Sequence, residues 1–388
     1  AYALHASIRV AIYAIPFVAL GYFFAPAHIT TSIVLGAVFC VAHTTQELGL
    51  AAFRVYRNGP GYAFVTLVRP LFAVALSVLL VLLGCGFEGA VLGAIIGALL
   101  SGGIALARVL PRSGIEAADF QKIKNLFIFG MPLGIVTSGS MVIVLLSQSM
   151  IATFSGLGAV GIFAAAQTLA MRSIAMPMVM VSRASGATIF SSVETSGMEA
   201  ANVALRRHFS YLLLLSAPVA TTLIFANESA ALIMFGEVYK DEVSDHLPLL
   251  ALAAFMTGLQ GGYFAYAFTL TKKTYTQLYI LLAIVVAHAG ITAVFLKAFG
   301  SIGASYAILL SASLSCLAYY FIGKRSSKQV ALPMAPVWKV LTASAIMAPF
   351  AAYADHHNSV LAGLALIGFG TALFFGALIV LKQTGMMV

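Results

Sequence analysis

The stretch "AAFRVYRNGPGY" (51–62) sets two arginines and an Asn-Gly-Pro-Gly turn between long apolar runs. In a soluble protein the chain on either side of such a turn would alternate between a polar and an apolar face. Here it returns to apolar sequence in both directions. A second stretch, "YAFTLTKKTYTQ" (266–277), has the same plan: a span ending in Ala-Phe, a turn over two basic residues, then another span. From Phe53 it is 33 residues to Gly86, and from Phe268 it is 32 to Gly300. At those points stand "GFEGA" (86–90) and "GSIGA" (300–304), both Gly-x-x-Gly-Ala at a helix start. The helices that follow end in "ARVLPR" and "IGKR", and the helices upstream carry the prolines of "AIPFVALGYFF" and "SAPVATTLIF". Four matches in one order, at nearly constant spacing, make an internal repeat. Parallel repeats of membrane helices are a common transporter plan, with the site expected between the halves.

Composition decides the environment. Hydrophobic residues are 61% of the 388 and charged residues 9%, against roughly a quarter charged in soluble domains. Repeated apolar runs of about 20 residues are bilayer-spanning helices, and the period-two alternation of a membrane barrel is absent. Twelve spans are expected near 8–26, 30–54, 62–84, 89–108, 126–150, 156–182, 209–226, 247–270, 276–297, 302–323, 337–354 and 359–381. Internal prolines such as Pro16, Pro132, Pro177, Pro218 and Pro349 kink rather than end these helices. Cys40, Cys85 and Cys316 have no metal or redox spacing and read as packing residues.

Charge orients the set. Arg54/Arg57, Arg108/Arg112/Lys122/Lys124, Arg183/Arg206/Arg207, Lys272/Lys273 and Lys324/Arg325/Lys328 fall on one side if the chain crosses at every span, with Arg9 and Lys382 at the two ends. The other side holds Glu88, then Glu228, Glu237, Asp241, Glu242 and Asp245, then Asp355 beside His356 and His357. The positive-inside rule therefore predicts cytoplasmic termini. The net charge of +9 reflects that topology and contact with anionic lipid heads. No basic face interleaves with aromatics as a nucleic-acid surface would, so nucleic acid is not an expected partner.

The expected fold class is an all-α polytopic membrane protein with about twelve transmembrane helices in two repeat-related lobes. Residues 1–110 form an N-terminal lobe of four helices, 111–325 a C-terminal lobe of six, and 326–388 two additional C-terminal helices. The six-helix lobe has two spans ahead of its proline helix and the first lobe has none. Two helices are therefore expected to be missing from its front.

The segment "FIFGMPLGIVTSGSMVIVLLSQSMIATFSGLGAVGIFAAAQTLAMR" (127–172) resembles the middle of polysaccharide flippases of the Wzx type, of the superfamily that includes MATE multidrug exporters and peptidoglycan-precursor flippases. Its Gly-x-Pro helix start and the later Gly-x-x-Ala-Val-Gly-x-Phe-x-Ala-Ala are the most specific part. "LVRP" after the basic turn and "GSIGASYAILLS" fit the same pattern. Many relatives carry an Asp near Ser149–Met150, where this chain has no acid. The resemblance implies flipping of an undecaprenyl-pyrophosphate-linked oligosaccharide from the cytoplasmic to the outer leaflet of the bacterial inner membrane by alternating access. It implies no cofactor, although coupling to an H+ or Na+ gradient fits. Its implied partners are the lipid-linked oligosaccharide, membrane lipids, and a polysaccharide polymerase with its chain-length machinery.

Polar residues inside spans name the candidate site. A charge at mid-bilayer costs on the order of 3 kcal/mol on insertion scales, so each needs a reason. Arg172 lies about ten residues from the expected cytoplasmic end of its helix, roughly 15 Å deep and too far to snorkel. It either faces a cavity and attracts pyrophosphate through its planar fork, or is satisfied by carbonyls or another helix. Arg69 and Glu47 sit at similar depth on consecutive helices, where an ion pair and a substrate contact both fit. His43, one turn from Glu47, joins it as a candidate for ion or proton coupling. Gln148, Gln167 and Gln260 either line a sugar path or bond neighbouring helices, while His288 and Lys297 read as packing and interface residues.

No metal motif, Walker loop or nucleophile elbow is present in the sequence, and no loop is long enough for a catalytic domain, so an enzyme is not expected. A membrane glycosyltransferase or polymerase would concentrate charge in a large outer loop, whereas the longest here, near 227–246, is short and acidic. An ion-coupled drug or metabolite exporter of the same fold is the nearer alternative, although a cationic cavity would repel cationic drugs.

Overall fold

Runs of Leu, Ile, Val, Ala and Phe with no water around them can satisfy their backbone only as helices, and helices are what the chain builds. The computed structural model describes residues 27–55, 58–113, 120–326, 333–355 and 360–383. It divides into two units, residues 1–126 and 127–388. Among the described residues, nine stretches are long and apolar enough to cross a membrane, and two of these are long enough to cross twice, with a glycine break between the crossings at Gly84 and Gly156. The described residues thus contain eleven of the twelve expected crossings, and the span at 8–26 lies outside them. The expected helices within the described residues are found, and those residues are all-α.

In the first unit, α1 (Ala27–Val55), α2 (Gly59–Leu80) and α3 (Gly86–Ser113) are described. α1 and α2 each pack mainly on α3 rather than on each other. Small residues allow the close approach: a Cβ on Gly49 would overlap Ala105, and one on Gly102 would meet the Gln46 backbone at 3.1 Å. This is the usual device for helices in lipid, where association depends on packing rather than on escape from water. Ser77 fills the α2–α3 crossing and donates to the Ala90 carbonyl at 2.7 Å.

The second unit contains α4 (Phe120–Ala170, beginning before residue 127 and broken at Gly156), a π-helical turn at Met171–Ala175, and α5 (Met176–Phe225, broken at Gly197). α6 (Asn227–Phe235) and a 3-10 turn lead into α7 (Lys240–Leu259), which continues through a π-helical turn at Gln260–Phe264 into α8 (Tyr266–Leu270). α9 (Thr274–Phe299), α10 (Ile302–Ser326), α11 (Met334–Ala354) and α12 (Val360–Gln383) complete it. Its core joins Phe163, Met178, Phe209, Leu247, Tyr263 and Phe268 among others. α11 packs on α12 and α5.

The repeat read in the sequence has a structural counterpart. After each Ala-Phe the turn closes with the same bond: Asn58 N donates to Phe53 O at 2.9 Å, and Lys273 N donates to Phe268 O at 2.8 Å. Both phenylalanines are buried. The first glycine of each Gly-x-x-Gly-Ala has nearly the same backbone, φ 52°, ψ −140° at Gly86 and φ 65°, ψ −148° at Gly300. That region is essentially closed to residues with a Cβ. The second glycine of each has no room for one: at Gly89 it would lie 2.8 Å from the Cys85 Cβ, and at Gly303 it would overlap the Phe295 carbonyl.

One expected boundary is corrected. The span at 156–182 continues without interruption to Gly197. Between its glycine breaks this arm is about 60 Å long at 1.5 Å per residue, twice the hydrocarbon thickness. The polar, small-residue sequence "SRASGATIFSSVETSG" (182–197) remains helical, with Ile189 buried and Ser185 bonded to His208 on the returning arm at 2.6 Å.

Candidate functional site

Arg172 sits in the π-helical turn Met171–Ala175, sixteen residues and about 24 Å along the arm from Gly156. A π turn inserts one residue into the helix and re-aims the side chains around it. Ile174 and Ala175 point into the core while Arg172 is exposed. Its guanidinium Nη1 donates to Met176 Sδ at 3.6 Å, a weak acceptor, and no carboxylate lies within ion-pair distance among the described residues. A groove of about 490 Å³ opens beside it. Ala164, Ala165, Thr168 and Leu169 form one wall, Met234 and Phe235 at the end of α6 form the other, and Arg172 is the only charge among the described residues that line it.

The other expected residues do not converge on this groove. Gln167 neighbours its wall in sequence but is 7% exposed, and its Oε1 is buried without a partner among the described residues. Gln260 opens the second π-helical turn and approaches the Tyr319 hydroxyl. Gln148 is half-buried on α4. A second groove, of about 340 Å³ between Gly139 on α4 and Leu281 on α9, is lined by apolar residues and Ser138.

In the first unit, Glu47 and Arg69 are both half-buried, but no ion pair joins them. The pairing read from their similar depth does not form; α1 and α2 touch, but each packs mainly on α3. His43 stacks on Phe39 with ring centroids 5.9 Å apart, and its Nδ1 is buried without a hydrogen-bond partner. Gln46, 2% exposed, also leaves its Oε1 unpartnered. His43, Gln46 and Glu47 thus give α1 a run of polar groups, of which His43 and Gln46 have a buried atom with no hydrogen-bond partner among the described residues.

Three buried histidines of the second unit bind helices together. His288 shares bonds with Ser147 and Ser311, both at 2.8 Å, and with Thr292 at 3.2 Å, joining α4, α9 and α10. The packing role expected of it takes the form of a hydrogen-bonded clasp. His246 bonds Ser305 at 2.7 Å across α7 and α10. His208 donates from Nε2 to the Gly262 carbonyl at 2.7 Å and shares a bond with Ser185 at 2.6 Å, so it ties both arms flanking Gly197 to the second π-helical turn. In the sequence His208 is masked by its neighbours Arg206 and Arg207. A histidine inside an apolar span signals the need for a partner, but nothing local names Ser185 or Gly262.

Asp355 is legible in the sequence only as an outer-loop acid. It caps α6: Oδ1 accepts from Ser229 N at 2.8 Å and Oδ2 from Glu228 N at 3.2 Å. Lys240 then pairs with Glu228 at 3.2 Å. Lys339 is 8% exposed, with its ammonium buried and unpartnered among the described residues, another charge the pattern of loops concealed.

The likeness to solved structures is one of fold. The chain superposes on a solved MATE in its straight conformation at a TM-score of 0.72 and 15% identity, over 84% of this chain and 77% of that one. It has the MATE-like fold. This MATE-like chain also superposes on the lipid II flippase MurJ in an inward closed conformation, with a TM-score of 0.68 and 14% identity over 96% of this chain and 81% of that one. A third match is the Vibrio cholerae MATE transporter VcmN in its bent form, at TM-score 0.59 and 16% identity over 85% and 79%. These three are transporters and a flippase rather than enzymes. Residues 5–189, just under half of the MATE-like chain, match the family described as polysaccharide biosynthesis protein. That match includes 127–172, the segment whose residues carry the resemblance to polysaccharide flippases. A search of curated proteins found no match.

Proposed function

We propose that the chain flips an undecaprenyl-pyrophosphate-linked oligosaccharide from the cytoplasmic to the outer leaflet of the bacterial inner membrane, by alternating access and with both termini cytoplasmic. The observation that carries this is Arg172. An exposed guanidinium with no ion-pair partner among the described residues, midway along an apolar arm, is costly in hydrocarbon and becomes favourable when a phosphate accepts its paired donors. A cationic drug would meet repulsion at the same point. The polysaccharide-biosynthesis match over residues 5–189 and the likeness to a protein named a lipid II flippase support a lipid-linked saccharide as the cargo. Gln148, half-buried on α4, and Arg69 are further polar groups on its path, whereas Gln167 and Gln260 are turned to neighbouring helices; His43 and Glu47 are the coupling groups for an ion gradient. The polymerase and chain-length machinery would receive the product.

The test is the fate of the lipid-linked oligosaccharide in cells. Deleting the protein, or substituting Arg172→Ala, should leave that intermediate on the inner leaflet, inaccessible to reagents added outside. Normal surface polysaccharide in cells carrying only Arg172→Ala would overturn the role of Arg172, and normal polysaccharide after deletion would overturn the function.

A further inference from the structure

The groove beside Arg172 combines one charge with a hydrocarbon lining. Ala164, Ala165 and Leu169 face Met234 and Phe235, and Thr168 is the only other polar side chain. A free anion would satisfy the guanidinium and leave the walls uncovered, whereas an alkane would cover the walls and leave the guanidinium bare. A phosphate joined to a hydrocarbon chain does both. Because the surrounding bilayer is already apolar, such a chain gains by close packing against the walls rather than by leaving water. The fit of those walls therefore matters.

One wall is set from elsewhere in the unit. α6 is only nine residues long, and its start is clasped on three sides. Asp355 takes the Glu228 and Ser229 amides, Glu228 pairs with Lys240, and Asn227 Nδ2 donates to the Ser244 carbonyl at 3.1 Å. Ala226 packs with Ala351 and Ala354 of α11. The far end of α6 carries Met234 and Phe235 and stops at Gly236, φ 80°. The angle at which these two side chains meet the groove thus depends on the carboxylate that ends α11.

We infer that this groove binds the hydrocarbon chain of a phosphate-bearing lipid whose phosphate rests on Arg172, and that Asp355 is the positioning residue that holds its α6 wall. This rests on the phosphate-anchor role proposed for Arg172. The C-terminal pair α11–α12 thereby gains a role, since α11 presents Asp355 to α6.

The experiment uses the full chain in detergent, with Cys40, Cys85 and Cys316 replaced by alanine and Met234→Cys, exposed at the groove, as a maleimide target. Farnesyl diphosphate should slow labelling at least fivefold, while inorganic pyrophosphate and farnesol at equal concentration should slow it less than twofold. Dioleoyl phosphatidate distinguishes the source of the lipid. Protection equal to that by farnesyl diphosphate assigns the site to phosphate lipids in general, and weaker protection assigns it to isoprenoid chains; both uphold the inference. Protection by pyrophosphate alone, or by farnesol alone, overturns it. Adding Arg172→Ala should reduce farnesyl diphosphate to the level of farnesol. Unchanged protection there defeats the phosphate anchor itself. Adding Asp355→Ala should raise unprotected labelling severalfold and shift half-protection to about tenfold higher concentration, and Asp355→Asn, which keeps one acceptor oxygen, should fall between. If Arg172→Ala abolishes protection while both Asp355 variants label and protect like the parent, the positioning role is wrong and the phosphate anchor stands. Should Asp355→Ala not fold, Asp355→Asn alone decides the point.

Discussion

Substituting alanine at the first glycine of each repeat turn tests whether Gly86 and Gly300 are equivalent. Both sit in a backbone region, φ 52° and 65° with ψ near −140° and −148°, where a Cβ costs about 1–3 kcal/mol. Against this, alanine lowers the entropy of the unfolded chain by about 0.4–1 kcal/mol. No neighbour lies within 4 Å of either added Cβ, so packing neither adds to the cost nor relieves it. The net expectation is about 1–2 kcal/mol at each position. In units of this size, 1 kcal/mol moves a thermal transition by about 2–4 °C, so each variant should lose several degrees in detergent. Gly290→Ala is the control: it is helical, with open space around it, and should be neutral or stabilising by about 0.5–1 kcal/mol. Thermal unfolding followed by helical circular dichroism reads all three. A Gly300→Ala transition within 1 °C of the parent would show that the backbone at this turn is not constrained. A large loss at Gly300 with none at Gly86 would show that the two turns are not equivalent.

Gly303→Ala should destabilise more than Gly290→Ala, by about 1–3 kcal/mol in the same thermal assay, because its Cβ would overlap the Phe295 carbonyl. His288→Phe removes the ring nitrogens that face Ser147, Ser311 and Thr292; at roughly 0.6 kcal/mol for each interhelical bond in a membrane, a loss of about 1–2 kcal/mol on chemical unfolding is expected. Thr195→Cys should react with an impermeant maleimide only from the cytoplasm and Glu237→Cys only from outside, so labelling of both from one side would break the topology. Arg69→Ala should reduce export of lipid-linked sugar less than Arg172→Ala does, measured as surface polysaccharide in the same cells.

What can be read from the sequence is whatever depends on local pattern. The long apolar runs, the two basic turns and the paired Gly-x-x-Gly-Ala starts mark the helices, their breaks and the repeat. Each of those features is decided within a few residues by backbone satisfaction in lipid or by a positive φ. The end of the Gly156–Gly197 arm is not legible, because its polar tail is tied to the returning arm by the Ser185–His208 bond, a contact no local window contains. Glu47 and Arg69 look like a pair because depth along a helix is legible and azimuth around neighbouring helices is not. Arg172 stands out by its depth, but its π-helical turn and the α6 wall beside it do not. The clasps of His208 and Asp355 span more than 50 and more than 120 residues respectively, so the sequence marks the side chains without their partners.

The central claim is met most directly by reconstitution. The purified chain in sealed proteoliposomes, loaded with a fluorescent pyrophosphate-linked isoprenoid saccharide, should move probe between leaflets, measured as the fraction quenched by an impermeant reductant added outside. The wild-type protein should accelerate this movement over empty vesicles, Arg172→Lys should retain part of the acceleration, and Arg172→Ala should lose nearly all of it while showing an undiminished thermal transition. Equal rates for wild type and Arg172→Ala, both above empty vesicles, would contradict the phosphate anchor. A wild-type rate no faster than empty vesicles would contradict the transport function.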